Sequence, residues 1–124
     1  MKRYPVISLD SVVHADVLEY LHSLPPCSVH LVVTSPPYNI GIDYDQHDDS
    51  IDYDKYLDWI YMVWKECKRV LVDGGRIAIN VSTVELSNFR PLHYDIREQM
   101  KRLGMTMRAE VIWNKGYRAS KTAW

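Results

Sequence analysis

The chain has 124 residues, enough for one domain with a core of its own. Fifteen Lys and Arg nearly balance sixteen Asp and Glu, for a net charge of -1, which excludes a broad phosphate-binding surface made by composition alone. Neither a membrane span nor a secretory leader is expected: no apolar run is long enough to cross a bilayer, and Met1-Lys2-Arg3 is followed by Tyr4-Pro5.

In chain order, PVISLD (residues 5–10) reads as a short strand. HADVLEYLHSLP follows, with Val17, Leu18 and Leu21 at helical spacing and Pro25 and Pro26 as its stop. Asp16 is placed to cap that helix. SVHLVVT (28–34) is β-branched and apolar, the pattern of a buried strand. Residues 35–53 form a long loop rich in Asp and aromatic residues, and loops of that length in compact domains are usually functional or mobile.

Residues 54–72 place Leu57, Ile60, Trp64, Cys67 and Leu71 at intervals of three and four, the stripe of a core-facing helix. Asp73-Gly74-Gly75 is expected to end it with a left-handed glycine cap. RIAINV (76–81) is the next strand, and a polar loop covers 82–90. Pro91 opens a helix striped by Leu92, Ile96, Met100 and Leu103, which Gly104 stops. MTMRAEVIWNKG (105–116) reads as a further strand that enters a basic loop. Alternating strands and helices predict an α/β fold with mainly parallel strands and helical crossovers. Ligands of such sheets bind beyond the carboxyl ends of the strands, here the loops that leave Ser35, Ser82 and Asn114.

Cys27 and Cys67 stand in no CxxC or Cys/His pattern, so they read as reduced thiols of a cytoplasmic protein, with no metal site expected. Asp43, Asp45, Asp48, Asp49 and Asp52, with His47, lack the offsets of a calcium loop and read as a solvated acidic loop.

The segment with the most chemistry is TSPPYN, residues 34–39. Each proline fixes its own φ and holds the residue before it extended, so Ser35-Pro36-Pro37 is stiff. Neither proline has an N–H. The Ser35 and Pro36 carbonyls are left as fixed acceptors, with the Ser35 hydroxyl beside them and the Tyr38 ring as a flat plate. A planar amine fits such a cluster, with its amino group donating and its ring stacked. A rigid Pro-Pro turn with a half-buried tyrosine is the plainer alternative. A polyproline-type ligand is a third, at odds with a motif that directly follows a buried strand.

The longer string VVTSPPYNIG resembles the catalytic motif of amino-directed DNA methyltransferases, which transfer a methyl group from S-adenosylmethionine to cytosine N4 or adenine N6. HADVLEYLHSLPPCSVHLVVTSPPYNIG is similar throughout to the family's opening segment, and YLDWIYMVWKECKRVLVDGGRIAINV and PLHYDIREQMKRLGMTMRAEVIWNKG to the segments that follow it, so the resemblance covers residues 14–124. It implies a partial Rossmann-like methyltransferase sheet in the permuted order, with the catalytic motif first. Residues 1–124 then form one domain, the N-terminal portion of the fold. The cofactor glycine motif and most of the target-recognition region are expected beyond Trp124.

The resemblance also implies roles. Ser35, Pro36, Pro37 and Tyr38 are the catalytic motif: Ser35 and the Pro36 carbonyl accept from the base amine, and Tyr38 stacks on a base swung out of double-stranded DNA. Thr34, Asn39 and Asn80 are assigned to the cofactor; by their charge alone, Lys115, Arg118 and Lys121 form a small basic cluster suited either to DNA phosphates or to a generic basic surface loop. Serine at the first motif position favours cytosine N4 over adenine N6, and DNA over the RNA or protein glutamine that Asn-Pro-Pro-Tyr enzymes methylate. Strands missing beside residues 28–34 would leave an open edge, so self-association or pairing with a complementary chain is expected.

Overall fold

The computed structural model describes residues 9–39, 41, 43–44, 47–48, 50–82 and 89–114. Seven elements follow one another among them: α1 (Val17–Ser23), β1 (Val29–Thr34), β2 (Asp43–Tyr44), β3 (His47–Asp48), α2 (Tyr53–Val70), β4 (Leu71–Ile79) and α3 (Leu92–Arg102). β1 and β4 pair in parallel, with α2 as the crossover between them. The expected α/β architecture is therefore present, with the parallel sheet limited to two strands among the described residues.

Helix starts follow local capping chemistry. The Asp16 carboxylate accepts from Leu18 N and Glu19 N at 2.9 and 3.0 Å, as the sequence predicts. Asp52, expected in the solvated loop, instead caps α2 by accepting from Asp54 N and Lys55 N. Two pieces of that acidic stretch differ from a plain loop, because Asp43–Tyr44 and His47–Asp48 form a short antiparallel ladder, while Asp45 and Asp49 lie outside the described residues. α3 ends as expected, with Gly104 at φ 74°.

The core sits between the helices and one face of the sheet. Tyr56, Ile60, Val63, Trp64 and Cys67 of α2 meet Leu92 and Ile96 of α3. Leu18 and Leu21 of α1 and Val32, Ile77 and Ile79 of the sheet pack against them. Burying side chains such as Ile60 and Trp64 contributes on the order of 1.5–3 kcal/mol each. α2 explains its own position: its apolar residues fall on one face, and Tyr56 rather than the half-buried Leu57 takes the deepest place at its start.

Three expectations are corrected. β1 is not a fully buried strand: Val32 and Thr34 are covered, while Leu31 is exposed and Val33 is 72% exposed on the opposite face, which no described element covers. The pair Gly74-Gly75 does not cap α2. The helix ends at Val70, Leu71 is already extended (φ -68°, ψ 137°), and the glycines lie within β4. There the register jumps from Val29↔Leu71 to Leu31↔Arg76, so the extra residues are absorbed as a bulge with Gly74 at φ 77°.

The third correction concerns residues 105–114, which form no strand. A strand exists only against a partner; this segment has no ladder among the described residues, and its apolar residues past the half-buried Met105 are open to solvent, Val111 at 90%. The predicted strand at 5–10 lies mostly outside the described residues, and Leu9 and Asp10 are in a turn. No helix among the described residues is long and apolar enough to cross a membrane.

Candidate functional site

The parallel pairing brings the carboxyl ends of β1 and β4 side by side. Asn80 N donates to Thr34 O at 2.9 Å, which joins the two ends just where the Ser-Pro-Pro-Tyr segment leaves. Thr34 is thus the last ladder residue of β1, and Asn80 the first residue past β4. Ser35 is exposed, Pro36 is buried, and Pro37 and Tyr38 are half-buried. The Ser35 Oγ lies 3.4 Å from the Tyr38 hydroxyl, and that hydroxyl donates to Asn80 O, also at 3.4 Å. Both distances lie beyond the ordinary range of about 2.5–3.0 Å for O–H···O bonds, so Tyr38 is held loosely at its tip while the prolines hold its base.

Asn39 closes the segment. It is buried at φ 57°, a left-handed conformation that Asn tolerates better than most residues. Its Nδ2 donates to Ile51 O at 2.7 Å, which ties the segment to the residue just before the α2 cap. Its carbonyl accepts from Arg90 Nη1 at 3.5 Å.

A second layer supports the motif, and sequence reasoning did not find it. The Tyr56 hydroxyl donates to Pro37 O at 2.5 Å. The Tyr56 ring stacks on Tyr53, with centroids 6.2 Å apart and planes at 16°, and Trp59 flanks it at 6.0 Å. Tyr53 donates to Asp95 Oδ2 at 2.7 Å, and the Arg90 guanidinium lies 4.8 Å from the centre of its ring. Burial first, then the Asp95 carboxylate as hydrogen-bond partner and as charge, hold the Tyr53 phenol well above its ordinary range. It stays a neutral donor. The available signal was the position of Tyr56 four residues before Ile60, on the buried face of the helix, where a hydroxyl needs a partner.

The remaining assigned residues are not gathered here. Lys115, Arg118 and Lys121 lie outside the described residues, and the exposed Trp113 and Asn114 end no strand. The glycine pair is in the middle of β4, and Asn80 is past its carboxyl end. Gly75 has no room for a ligand: a Cβ there would meet Val72 O at 2.8 Å and His30 O at 3.3 Å. Stiff acceptors beside a half-exposed aromatic ring, open to solvent at Ser35, make a surface for a flat donor molecule.

Residues 29–123 match the N6/N4 family of DNA methylases. The chain is 39% identical over 102 residues to the type II methyltransferase M.MjaVI of Methanocaldococcus jannaschii, an overlap of 82% of this chain and 53% of that protein. It is 33% identical over 104 residues to the DNA adenine methyltransferase YhdJ of Escherichia coli K12, covering 84% of this chain and 33% of YhdJ. Among solved structures, TTHA0409 of Thermus thermophilus, assigned as a DNA modification methylase, aligns with a TM-score of 0.59 at 43% identity, over 73% of this chain and 38% of that one. The same protein in complex with S-adenosyl-L-methionine gives a TM-score of 0.53 at 40% identity. The chain spans about half the length of M.MjaVI and about a third of YhdJ.

Proposed function

This chain belongs to the N6/N4 family of DNA methylases, and from that premise we propose that it forms the base-accepting portion of a DNA amino-methyltransferase. The observation that carries the reading is the grouping of Ser35, Tyr38 and Asn80 at the joined carboxyl ends of β1 and β4. Ser35 Oγ and the Pro36 carbonyl accept from the exocyclic amine of a flipped base and turn its nitrogen lone pair toward the methyl donor. Tyr38 stacks on the base. Methyl transfer to such an amine depends on placement more than on a strong base, which suits a proline-stiffened cradle.

S-adenosylmethionine, when bound, supplies the electrophilic methyl group. Thr34 and Asn80 at the strand ends, with the backbone of Asn39, are the residues here that would border it. The described residues fit that border but offer no glycine cradle there, since Gly74-Gly75 lies mid-strand in β4, away from its carboxyl end, and Gly75 is closed in by Val72 O and His30 O. Residues 1–124 are read as one domain, the catalytic-motif portion of the fold, working on double-stranded DNA in the cytoplasm, where its free thiols stay reduced. Lys115, Arg118 and Lys121 are assigned to DNA phosphates. The Ser35 that opens the motif favours cytosine N4 over adenine N6.

The test is transfer of labelled methyl from S-adenosylmethionine to mixed-sequence duplex DNA, by the chain alone and with a polypeptide that supplies the remaining length of its relatives. Digestion to nucleosides separates the products by mass. N4-methylcytosine is expected, N6-methyladenine alone would overturn the base assignment, and no transfer in either arm would overturn the reading.

A second reading is favoured by the bare sheet face at Leu31 and Val33 and the exposed Val111, Ile112 and Trp113. In it the chain works by assembly, with itself or with a complementary chain, and methylates only in the complex. Light scattering across a concentration series tests this reading; a monomer throughout, with full activity alone, defeats it.

A further inference from the structure

Stiffness inside the Ser-Pro-Pro-Tyr segment does not by itself place the segment. A rigid plate still needs anchors at both edges. The upstream anchor is the sheet, through Asn80 N on Thr34 O. At the downstream edge Pro37 has no N–H, so its carbonyl is its one hydrogen-bonding group. That carbonyl receives the hydroxyl of Tyr56.

Tyr56 is well built for holding. It is fully buried, it sits in the first turn of α2, and its ring lies between Tyr53 and Trp59. Tyr53 is itself fixed by Asp95 of α3 and faced by Arg90. The chain of contacts therefore runs from α3 through two phenols to the Pro37 carbonyl, across 42 residues of sequence between Tyr53 and Asp95 and 19 between Pro37 and Tyr56.

We infer that Tyr56 is the positioning residue of the motif: its hydroxyl fixes the Pro37 carbonyl and with it the angle of the adjoining Pro36 carbonyl and Tyr38 ring. It touches no substrate. This inference rests on the methyltransferase reading for its meaning, but the anchoring is measurable without it.

Tyr56→Phe keeps the ring and removes only the hydroxyl. In the full chain, the NMR order parameters of the Tyr38 and Asn39 amides are expected to fall from about 0.85 toward about 0.6 as the anchor is lost, and those of Val63, Trp64 and Cys67 to stay unchanged. Tyr53→Phe, which cuts the Asp95 link but leaves the Tyr56 hydroxyl, is expected to give a smaller change at the same two amides. Order parameters unaltered at Tyr38 and Asn39, or lowered uniformly along α2, overturn the inference.

In the methylating preparation, Tyr56→Phe is expected to lower kcat about tenfold or more, with KM for DNA and for S-adenosylmethionine held within about twofold. A rise in KM with kcat intact also overturns it. Wild-type chain that transfers no methyl in any preparation would defeat the functional reading, and the order-parameter comparison would still decide this one.

Discussion

Helix α2 grips the rest of the molecule at both ends, with different chemistry at each. At the C-terminal end the contacts are charged. Arg69 bonds Glu66 at 2.7 Å and reaches the Leu21 and Leu24 carbonyls at the end of α1. Lys68 bonds the Leu103 carbonyl beyond α3. The backbone carbonyls of Arg69 and Val70 take the N–H groups of Cys27 and Ser28, which sets the start of β1. At the N-terminal end the contacts to the motif are neutral: a phenol on a carbonyl, an amide on a carbonyl, and stacked rings. Eighteen residues, about 27 Å of helix, separate the two. Charge-assisted bonds assemble the layers, and weaker directional bonds aim the site, so fold and function are separable along one helix.

The strongest way to break this comparison is Arg69→Leu. It removes three bonds and leaves the buried Glu66 carboxylate without its close partner, the most costly kind of loss. A fall of about 3–4 kcal/mol in urea unfolding is expected; a loss below about 1 kcal/mol would mean the charged end does not assemble the layers. Next is Ser35→Ala at the other end. Methyl transfer is expected to drop about a hundredfold with the urea midpoint unmoved. A shifted midpoint would merge the two ends into one role.

Gly75→Ala follows. The new Cβ would lie 2.8 Å from Val72 O and 3.1 Å from Leu71 Cδ2. A loss of about 2 kcal/mol is expected from this overpacking just past the charged end, read by thermal melting, with the amides of Tyr38 and Asn39 unaffected. The smallest effect is on pH dependence. Burial, and then the neighbouring Glu66, push the Cys67 thiol up to about 11 from 9.0. Below pH 9 the thiol is protonated in both folded and unfolded chains, and its contribution is whole. Between pH 9 and about 11 the unfolded chain releases the proton first, so stability falls across that window. Cys67→Val should flatten that part of the curve, and an unchanged slope would disprove the assignment.

Much of the fold was legible because its causes are local. The stripes of α2 and α3 need only helical spacing, and Asp16 needs only its own carboxylate and the next turn. Gly74-Gly75 misled because a glycine pair is a turn signal by itself, while pairing with β1 draws it into a bulged strand. Residues 105–114 misled for the reverse reason: an apolar run states a capacity for pairing, and pairing takes a partner. The motif residues and Asn80 were legible because a parallel sheet collects its strand ends on one side. Tyr56 was not, since nothing near it in sequence announces a carbonyl 19 residues back.

The uncovered face of the sheet has a consequence in mass action. Leu31 and Val33 point where no described element packs. A second copy or a complementary chain that buried them would enter the folding equilibrium as a ligand of the native state alone. Each tenfold rise in its free concentration above the dissociation constant then adds about 1.4 kcal/mol to the stability of this chain. With such a partner, the melting temperature of the protein would be a property of its surroundings as much as of its sequence.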